Sequence, residues 1–243
     1  MRKTELTWLP HLFTAGNLFF GFWAIIQLFE GNILVACWMI IAASIMDGLD
    51  GKVARLTHCS SKFGTYFDSL ADTVSFGLAP AVLLYAVSFN RFGFAGVLLS
   101  LIYLLFGVLR LVRFTANSSS EEKSRFEGLP IPMAANTLAS FVLFNHAAWH
   151  SLALELLLIP ISLGLAFLMI SRIPYEVLPR FTFRDTRKNL AKLVFIIGGI
   201  ILVAIDPQRM FFPLMVIYLL KGILTEILSP ADTEEELEEA VGD

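Results

Sequence analysis

The sequence predicts an all-α membrane protein that crosses the bilayer about eight times. The first observation is its composition, because 56% of the 243 residues are hydrophobic and only 16% are charged, with a mean hydropathy of +0.72. A soluble domain usually has about a quarter of its residues charged. The second observation is a succession of apolar runs of roughly 20 residues, the length that a helix needs to cross the hydrocarbon core. Short polar breaks separate these runs.

Charged and turn-forming residues divide the apolar runs into eight predicted spans. They are residues 12–29, 33–57, 64–89, 94–114, 131–149, 152–171, 190–206 and 211–228. No small-residue cleavage site follows the first run, so we interpret it as a retained helix and not as a secretory signal. Turn residues at 30–32 end this span, and residues 90–93 separate the third span from the fourth. Longer polar stretches at 115–128 and 174–185 precede the fifth and seventh spans.

The distribution of basic residues predicts the orientation in the membrane. Of the 18 Lys and Arg residues, all but Arg91 and Arg209 lie near the termini or in the second-to-third, fourth-to-fifth and sixth-to-seventh connections. Because cytoplasmic loops retain positive charge, these connections and both termini are predicted to face the cytoplasm. The net charge of −3 comes largely from an acidic stretch after Pro230, which we interpret as a solvated tail. No nucleic-acid partner is expected.

Two of the apolar spans carry aspartates at a regular spacing. Asp47 and Asp50 lie near the end of the second span, and Asp68 and Asp72 lie near the start of the third. The complete pattern is D-x-x-D-G-x-x-A-R at residues 47–55 and G-x-x-x-D-x-x-x-D at residues 64–72. A carboxylate at membrane depth is disfavoured by roughly 3 kcal/mol even on lenient insertion scales. Four of them therefore indicate a functional site.

The spacing of these aspartates favours a metal-assisted reaction on a phosphate. Residues three or four apart share one face of a helix, so a short turn between the two spans lets both pairs converge. Carboxylate oxygens suit Mg²⁺ or Mn²⁺, particularly when a phosphate completes the coordination. Four carboxylates are enough for two ions, which could clamp a diphosphate during an in-line displacement. Gly51 lets a ligand approach the backbone, and Arg55 offers a planar fork of donors to phosphate.

Two other interpretations of the acidic residues require no catalysis. The aspartates could pair with Lys52, Arg55 and Lys62 and stabilise the helix hairpin, although four acids exceed three bases and intramembrane ion pairs are themselves expensive. Buried carboxylates are also typical of cation and proton transporters. A transporter therefore remains an alternative from the residues alone.

The pattern from Asp47 to Asp72 resembles the signature of the CDP-alcohol phosphotransferases, membrane enzymes that transfer a phosphatidyl-type group from a CDP-linked lipid to an alcohol. Every fixed position of that signature is present. Other segments are similar to the phosphatidylserine synthase branch of the family, and they lie at residues 9–14, 17–21, 75–81, 110–114 and 128–132. The resemblance covers roughly residues 9–175.

The resemblance implies an architecture and an activity. We expect a catalytic core of six helices over residues 1–175, two additional transmembrane helices over 176–229 and the acidic tail over 230–243, in a homodimer. The implied reaction transfers the phosphatidyl group of CDP-diacylglycerol to L-serine and releases CMP. Acceptors such as glycerol 3-phosphate or inositol phosphate, and an ether-lipid (archaetidylserine) pathway, remain alternatives.

The resemblance also implies roles for individual residues. Asp47, Asp50 and Asp68 would ligate the first Mg²⁺ or Mn²⁺ ion, and Asp72 would complete the second metal site and act as general base. A serine hydroxyl is a poor nucleophile until such a carboxylate accepts its proton. The residues expected to contact the CDP group are Asn17, Gly51, Arg55 and Ser61.

Two arginines are candidates for binding the carboxylate of the acceptor serine. Arg110 and Arg113 lie three residues apart at the predicted cytoplasmic end of the fourth span. Guanidinium groups bind carboxylates through paired, charge-assisted hydrogen bonds. Helix-end arginines also commonly extend to lipid headgroups and anchor the span, which is the alternative for both.

Overall fold

The computed structural model describes residues 8–57, 62–117, 128–173, 175, 198–199 and 201–228. Within these ranges the chain forms helices and no strand, which confirms the predicted all-α fold. The α-helices are α1 (Trp8–Phe29), α2 (Ile33–Thr57), α3 (Lys62–Asp72), α4 (Ala79–Val87), α5 (Phe94–Asn117), α6 (Ile131–Trp149), α7 (Leu158–Ile170) and α8 (Pro207–Leu228).

Among the residues that the structure describes, five helical stretches are long and apolar enough to cross a membrane, which agrees with a multi-pass protein. They are Pro10–Phe29, Ile33–Val53, Phe63–Val87, Phe94–Ala116 and Pro207–Ile227. The third stretch runs through α3 and α4. Of the predicted seventh span at 190–206, the described residues 198–199 and 201–205 are helical, and most of the others lie outside the described part of the chain.

The predicted fifth and sixth spans differ in character from these five stretches. Helix α6 is 19 residues long, and most of its polar residues, which include Asn136 and Asn145, are buried among the other helices. Helix α7 has only 13 residues and follows a short 3₁₀ turn, Glu155–Leu157. The predicted break between the two spans is present, because α6 ends at Trp149 and His150 adopts a left-handed conformation with φ of 52°. Helix α6 therefore serves as an interior helix of the bundle.

Helix α1 lies beside both helices that carry the aspartates. It turns into α2 through Gly31, whose φ of +79° favours glycine, and the N–H of Asn32 closes the turn on the carbonyl of Gln27 at 2.8 Å. The buried faces of α1 and α2 include small residues such as Ala24 and Ala36, both fully buried. Small side chains let helices approach closely where lipid offers no hydrophobic driving force between them.

The predicted third span is not a uniform helix. Helix α3 ends at Asp72, and Thr73–Leu78 form a π-helical turn before α4 begins. The buried hydroxyl of Tyr103 on α5 donates a hydrogen bond to the carbonyl of Phe76 within this turn, at 3.2 Å. Single π-helical turns inside α-helices occur frequently at functional sites. An apolar run in the sequence gives no sign of this change in helical pitch.

Helix α5 begins in close contact with the preceding 3₁₀ turn, Phe89–Phe92, and this contact yields the first prediction. A Cβ on Gly96 would lie 2.7 Å from the carbonyl carbon of Phe89. We expect Gly96→Ala to lower the free energy of unfolding by about 1–3 kcal/mol, the usual cost of overpacking. Thermal unfolding in detergent micelles measures this change.

The control is Gly164→Ala in α7, because no atom lies within 4 Å of the added methyl group. Alanine is favoured over glycine by about 1 kcal/mol within helices, so this variant should unfold at the same or a higher temperature. Equal unfolding temperatures for the two variants would contradict the tight contact at Gly96.

Candidate metal centre and active site

Three of the four predicted metal ligands meet at one point between α2 and α3. One carboxylate oxygen from each of Asp47, Asp50 and Asp68 lies within 4.8 Å of the other two. Asp47 and Asp50 lie on one face of α2 because they are three residues apart, and Asp68 on α3 lies close to both of them. Such a set of oxygen atoms could hold a divalent cation.

Asp72 lies at the edge of this cluster, one helical turn beyond Asp68. Its carboxyl group is within hydrogen-bond range of Asp47, and only 7% of the residue is exposed. The side-chain amide of Asn17 on α1 donates a hydrogen bond to Oδ1 of Asp72 at 2.9 Å. Since an ionised carboxylate only accepts hydrogen bonds, the amide nitrogen of Asn17 must face Asp72. The amide oxygen of Asn17 is buried and has no partner among the described residues.

Helix α1 also contacts Asp50, through a residue that the sequence did not identify as part of the site. The hydroxyl of Thr14 lies 3.0 Å from Oδ2 of Asp50 and 3.1 Å from the carbonyl of Pro10, so it can donate to either oxygen. Thr14 and Asn17 are three residues apart and are both buried. Two polar residues on one face of an apolar helix are the signal that could have identified Thr14.

The charge balance of the cluster favours a bound cation. Oδ1 of Asp68 is buried without a hydrogen-bond partner among the described residues, and Asp50 is 6% exposed. Ion pairs within the described ranges join Arg91 to Glu155 and Arg209 to Asp206, and neither pair includes the clustered aspartates. Lys52 is exposed. Carboxylates that repel one another in a poorly solvated site need a compensating positive charge, and a divalent ion fits this donor set.

Gly51 leaves the backbone beside Asp50 accessible. No atom lies within 4 Å of the position that a Cβ on Gly51 would occupy, and its N–H donates to the carboxylate of Asp50. This space is sufficient for a ligand to approach the backbone, and the contact of Gly51 with a ligand stays a prediction. Two further predicted CDP contacts, Ser61 and the side chain of Arg55, lie outside the described residues.

The two predicted acceptor-binding arginines occupy different environments. Arg113 donates hydrogen bonds to the carbonyl oxygens of Ile170 at 2.9 Å and Ser171 at 3.4 Å, where α7 ends. Basic side chains at this position satisfy the last carbonyls of a helix and favour its dipole. The described contacts of Arg113 are therefore structural.

Arg110 lies in a different, more buried environment. It is 8% exposed, and its guanidinium interacts electrostatically with Asp72 and with Tyr218 on α8. Its Nε atom is buried and makes no hydrogen bond to another described residue. A buried guanidinium with an unused donor can bind an anion. Tyr218 was not among the predicted site residues.

The segment that precedes α6 lies against the same end of α7. Gly128 has a φ of +84°, and its N–H donates to the carbonyl of Ile173 at 2.9 Å, while the N–H of Leu129 donates to the carbonyl of Leu168 at 3.0 Å. A Cβ on Gly128 would lie 2.9 Å from the carbonyl oxygen of Ser171. Only glycine combines this conformation with this approach, so the segment anchors the start of α6 next to Arg113.

Comparison with known proteins identifies the family to which this sequence belongs. The model of the CDP-alcohol phosphatidyltransferase family matches residues 7–170, which contain α1 to α7 and all four aspartates. A CDP-diacylglycerol–serine O-phosphatidyltransferase from Helicobacter pylori is 36% identical over 217 residues, which are 88% of this chain and 89% of that protein.

Two further relatives cover the greater part of the chain. An archaetidylserine synthase from Methanothermobacter thermautotrophicus is 36% identical over 71% of this chain and 71% of its own length. A CDP-diacylglycerol–serine O-phosphatidyltransferase from Bacillus subtilis is 34% identical over 70% of this chain and 90% of its own length. The extent of the family match and of these identities confirms the resemblance that the aspartate pattern indicated. This chain belongs to the CDP-alcohol phosphatidyltransferase family.

Proposed function

We propose that this protein transfers the phosphatidyl group of CDP-diacylglycerol to the hydroxyl of L-serine, giving phosphatidylserine and CMP. The observation that carries the proposal is the convergence of Asp47, Asp50 and Asp68 on one point, with Asp72 beside them. The Helicobacter pylori and Bacillus subtilis relatives are both named serine O-phosphatidyltransferases, which supports serine as the acceptor.

The four aspartates would hold two divalent cations, Mg²⁺ or Mn²⁺, with Asp47, Asp50 and Asp68 at the first site and Asp72 completing the second. Such ions neutralise a diphosphate and stabilise charge on its oxygens. Gly51 leaves room for the nucleotide-linked phosphate next to the backbone. Asn17, Arg55 and Ser61 remain proposed contacts of the CDP group.

Asp72 is the proposed general base. It accepts the proton of the serine hydroxyl as the serine oxygen forms a bond to the phosphorus attached to diacylglycerol. The bond from that phosphorus to the bridging oxygen breaks at the same centre, and CMP leaves with that oxygen. No covalent bond to the enzyme is required. The hydrogen bond from Asn17 restrains Asp72 in one orientation, which favours a productive geometry for proton transfer.

Arg110 is the proposed partner of the carboxylate of serine. Its buried guanidinium interacts with Asp72, so an acceptor bound to Arg110 would present its hydroxyl near the general base. The basic residues predict that this end of the bundle faces the cytoplasm, where free serine is available. We further propose a homodimer, a catalytic unit over residues 1–175 and two additional helices over residues 176–229.

A second candidate function has the same acceptor, serine, and a different lipid donor. The relative from Methanothermobacter thermautotrophicus is named an archaetidylserine synthase. An apolar groove that accepts acyl chains also accepts ether-linked chains, because dispersion contacts do not distinguish the linkage. The alternative substrate is therefore a CDP-linked diether lipid.

The product assay tests the proposed function directly. Purified protein in detergent is incubated with CDP-diacylglycerol and labelled L-serine, glycerol 3-phosphate or inositol phosphate in separate reactions, and a parallel set contains the diether lipid. We expect CMP and labelled lipid with serine and Mg²⁺ or Mn²⁺. Excess EDTA should stop the release of CMP, and added Mg²⁺ should restore it.

If labelled lipid forms with glycerol 3-phosphate or inositol phosphate and not with serine, the protein is a transferase of the same family with a different acceptor. Cation or proton flux in liposomes without any release of CMP would support the transporter alternative instead.

The second prediction concerns Asp72. We expect Asp72→Asn to lower kcat at least about 100-fold, the usual scale of general acid–base catalysis, because the amide cannot accept the proton. Binding of the CDP-lipid, measured by isothermal titration, should remain within about threefold of the wild-type value. Asp206→Asn is the matched control, because Asp206 lies at the start of α8 and binds the backbone N–H of Arg209 at 3.2 Å. Full turnover of Asp72→Asn with metal present would show that Asp72 is not the general base.

The third prediction separates the two arginines. We expect Arg110→Ala to raise the KM for serine about tenfold or more while the KM for the CDP-lipid stays nearly constant, since charge-assisted hydrogen bonds contribute roughly 1.5–3 kcal/mol. Arg113→Ala should lower the unfolding temperature, because it removes the donors to Ile170 and Ser171. Steady-state kinetics and thermal unfolding of both variants test this difference. An unchanged serine KM in Arg110→Ala would place the carboxylate elsewhere.

A further inference from the structure

Helix α1 and the π-helical turn after Asp72 approach each other unusually closely at one point. Ser75, in the π-helical turn, is fully buried and lies opposite Gly21. A Cβ on Gly21 would lie 2.6 Å from both Cα and Cβ of Ser75. Real Cβ atoms do not approach other atoms this closely, so the contact exists only because residue 21 is glycine.

A hydrogen bond crosses this contact and leads to the proposed general base. The hydroxyl of Ser75 donates to the backbone carbonyl of Asn17 at 2.9 Å. The side chain of the same Asn17 donates to Oδ1 of Asp72 at 2.9 Å. Asn17 is therefore held by its backbone to Ser75 while its amide holds Asp72. Ser75 and Asp72 are three residues apart, so α1 is attached to two consecutive turns of this span.

We propose that Ser75 is a positioning residue of the active site: through the carbonyl of Asn17 it holds the Asn17 amide against Asp72 and so fixes the carboxylate that accepts the proton. This inference rests on the proposed function of Asp72. Ser75 acts through Asn17, because the hydroxyl of Ser75 donates its hydrogen bond to the carbonyl of that residue.

The position of Ser75 explains why its effect should appear in turnover and not in folding. In an α-helix the carbonyl of Asn17 also accepts the N–H of Gly21, so loss of the Ser75 hydroxyl does not leave that oxygen without a partner. What changes is the freedom of α1 to shift against the π-helical turn. A displacement of about 1 Å at a catalytic group can cost up to about 100-fold in rate.

The test compares Ser75→Ala with Ser88→Ala. Both serines are fully buried, and the hydroxyl of Ser88 has no hydrogen-bond partner among the described residues. We expect Ser75→Ala to lower kcat about tenfold, with the KM values for serine and CDP-lipid within about twofold of wild type and the unfolding temperature within a few degrees. Ser88→Ala should leave kcat unchanged. Equal kcat values for Ser75→Ala and wild type would overturn the proposal.

A double-variant experiment tests whether Ser75 acts through Asn17. In the Asn17→Ala background the amide that holds Asp72 is absent, so adding Ser75→Ala should change kcat by less than about twofold. A further tenfold loss in that background would show that Ser75 acts by another route and would overturn the proposal.

Gly21→Ala is an independent test, because it separates α1 from the π-helical turn without removing the Ser75 hydroxyl. We expect a loss of kcat at least as large as that of Ser75→Ala. Gly16→Ala on the same helix is the control, since its added methyl group would make only ordinary contact with the side chain of Met46 at 3.5 Å. Wild-type kcat in Gly21→Ala would contradict the positioning role. The wild-type product assay separates this outcome from failure of the proposed function, because that failure would abolish CMP release in the unmodified protein.

Discussion

The arrangement of this protein depends on placing four carboxylates together in an apolar bundle. Carboxylates of like charge in a poorly solvated place repel one another, and the described residues supply no ion pair to Asp47, Asp50 or Asp68. One oxygen of each of these three carboxylates lies near the other two, and a divalent cation bound between them would offset their mutual repulsion. Oδ1 of Asp68, which has no hydrogen-bond partner among the described residues, is free to bind such a cation.

Helix α1 completes the site although it carries none of the acids. Its hydroxyl and amide groups contact Asp50 and Asp72, and its glycine at position 21 admits Ser75. Neutral donors of this kind orient a carboxylate without cancelling the charge that a cation requires. The π-helical turn contributes to this orientation, because it places Ser75 against α1 shortly after Asp72. The proposed chemistry at Asp72 and the packing of α1 therefore depend on the same contacts.

The carboxyl-terminal part of the protein is connected to the core more closely than the family match at residues 7–170 suggests. Phe212 of α8 contacts the ring of Phe141 on α6, with their ring centroids 5.2 Å apart. The ring of Tyr175 lies against Gly222 and 5.7 Å from the ring of Tyr218, which in turn interacts with Arg110. Helix α8 thus borders the side of the bundle on which the acceptor is proposed to bind.

The sequence by itself determined the all-α membrane fold and the group of aspartates, because composition and the spacing of residues within one helix are sufficient for both. Asp47 and Asp50 had to share a face, and so did Asp68 and Asp72. Contacts between helices were decided only by the tertiary structure, since they depend on how each helix is rotated and how closely it approaches its neighbour. Thr14 on Asp50, the amide of Asn17 on Asp72 and the different environments of Arg110 and Arg113 belong to this second group. The π-helical turn also belongs to the features that only the tertiary structure decided, because the hydrophobic pattern of a buried span is the same for both helical pitches.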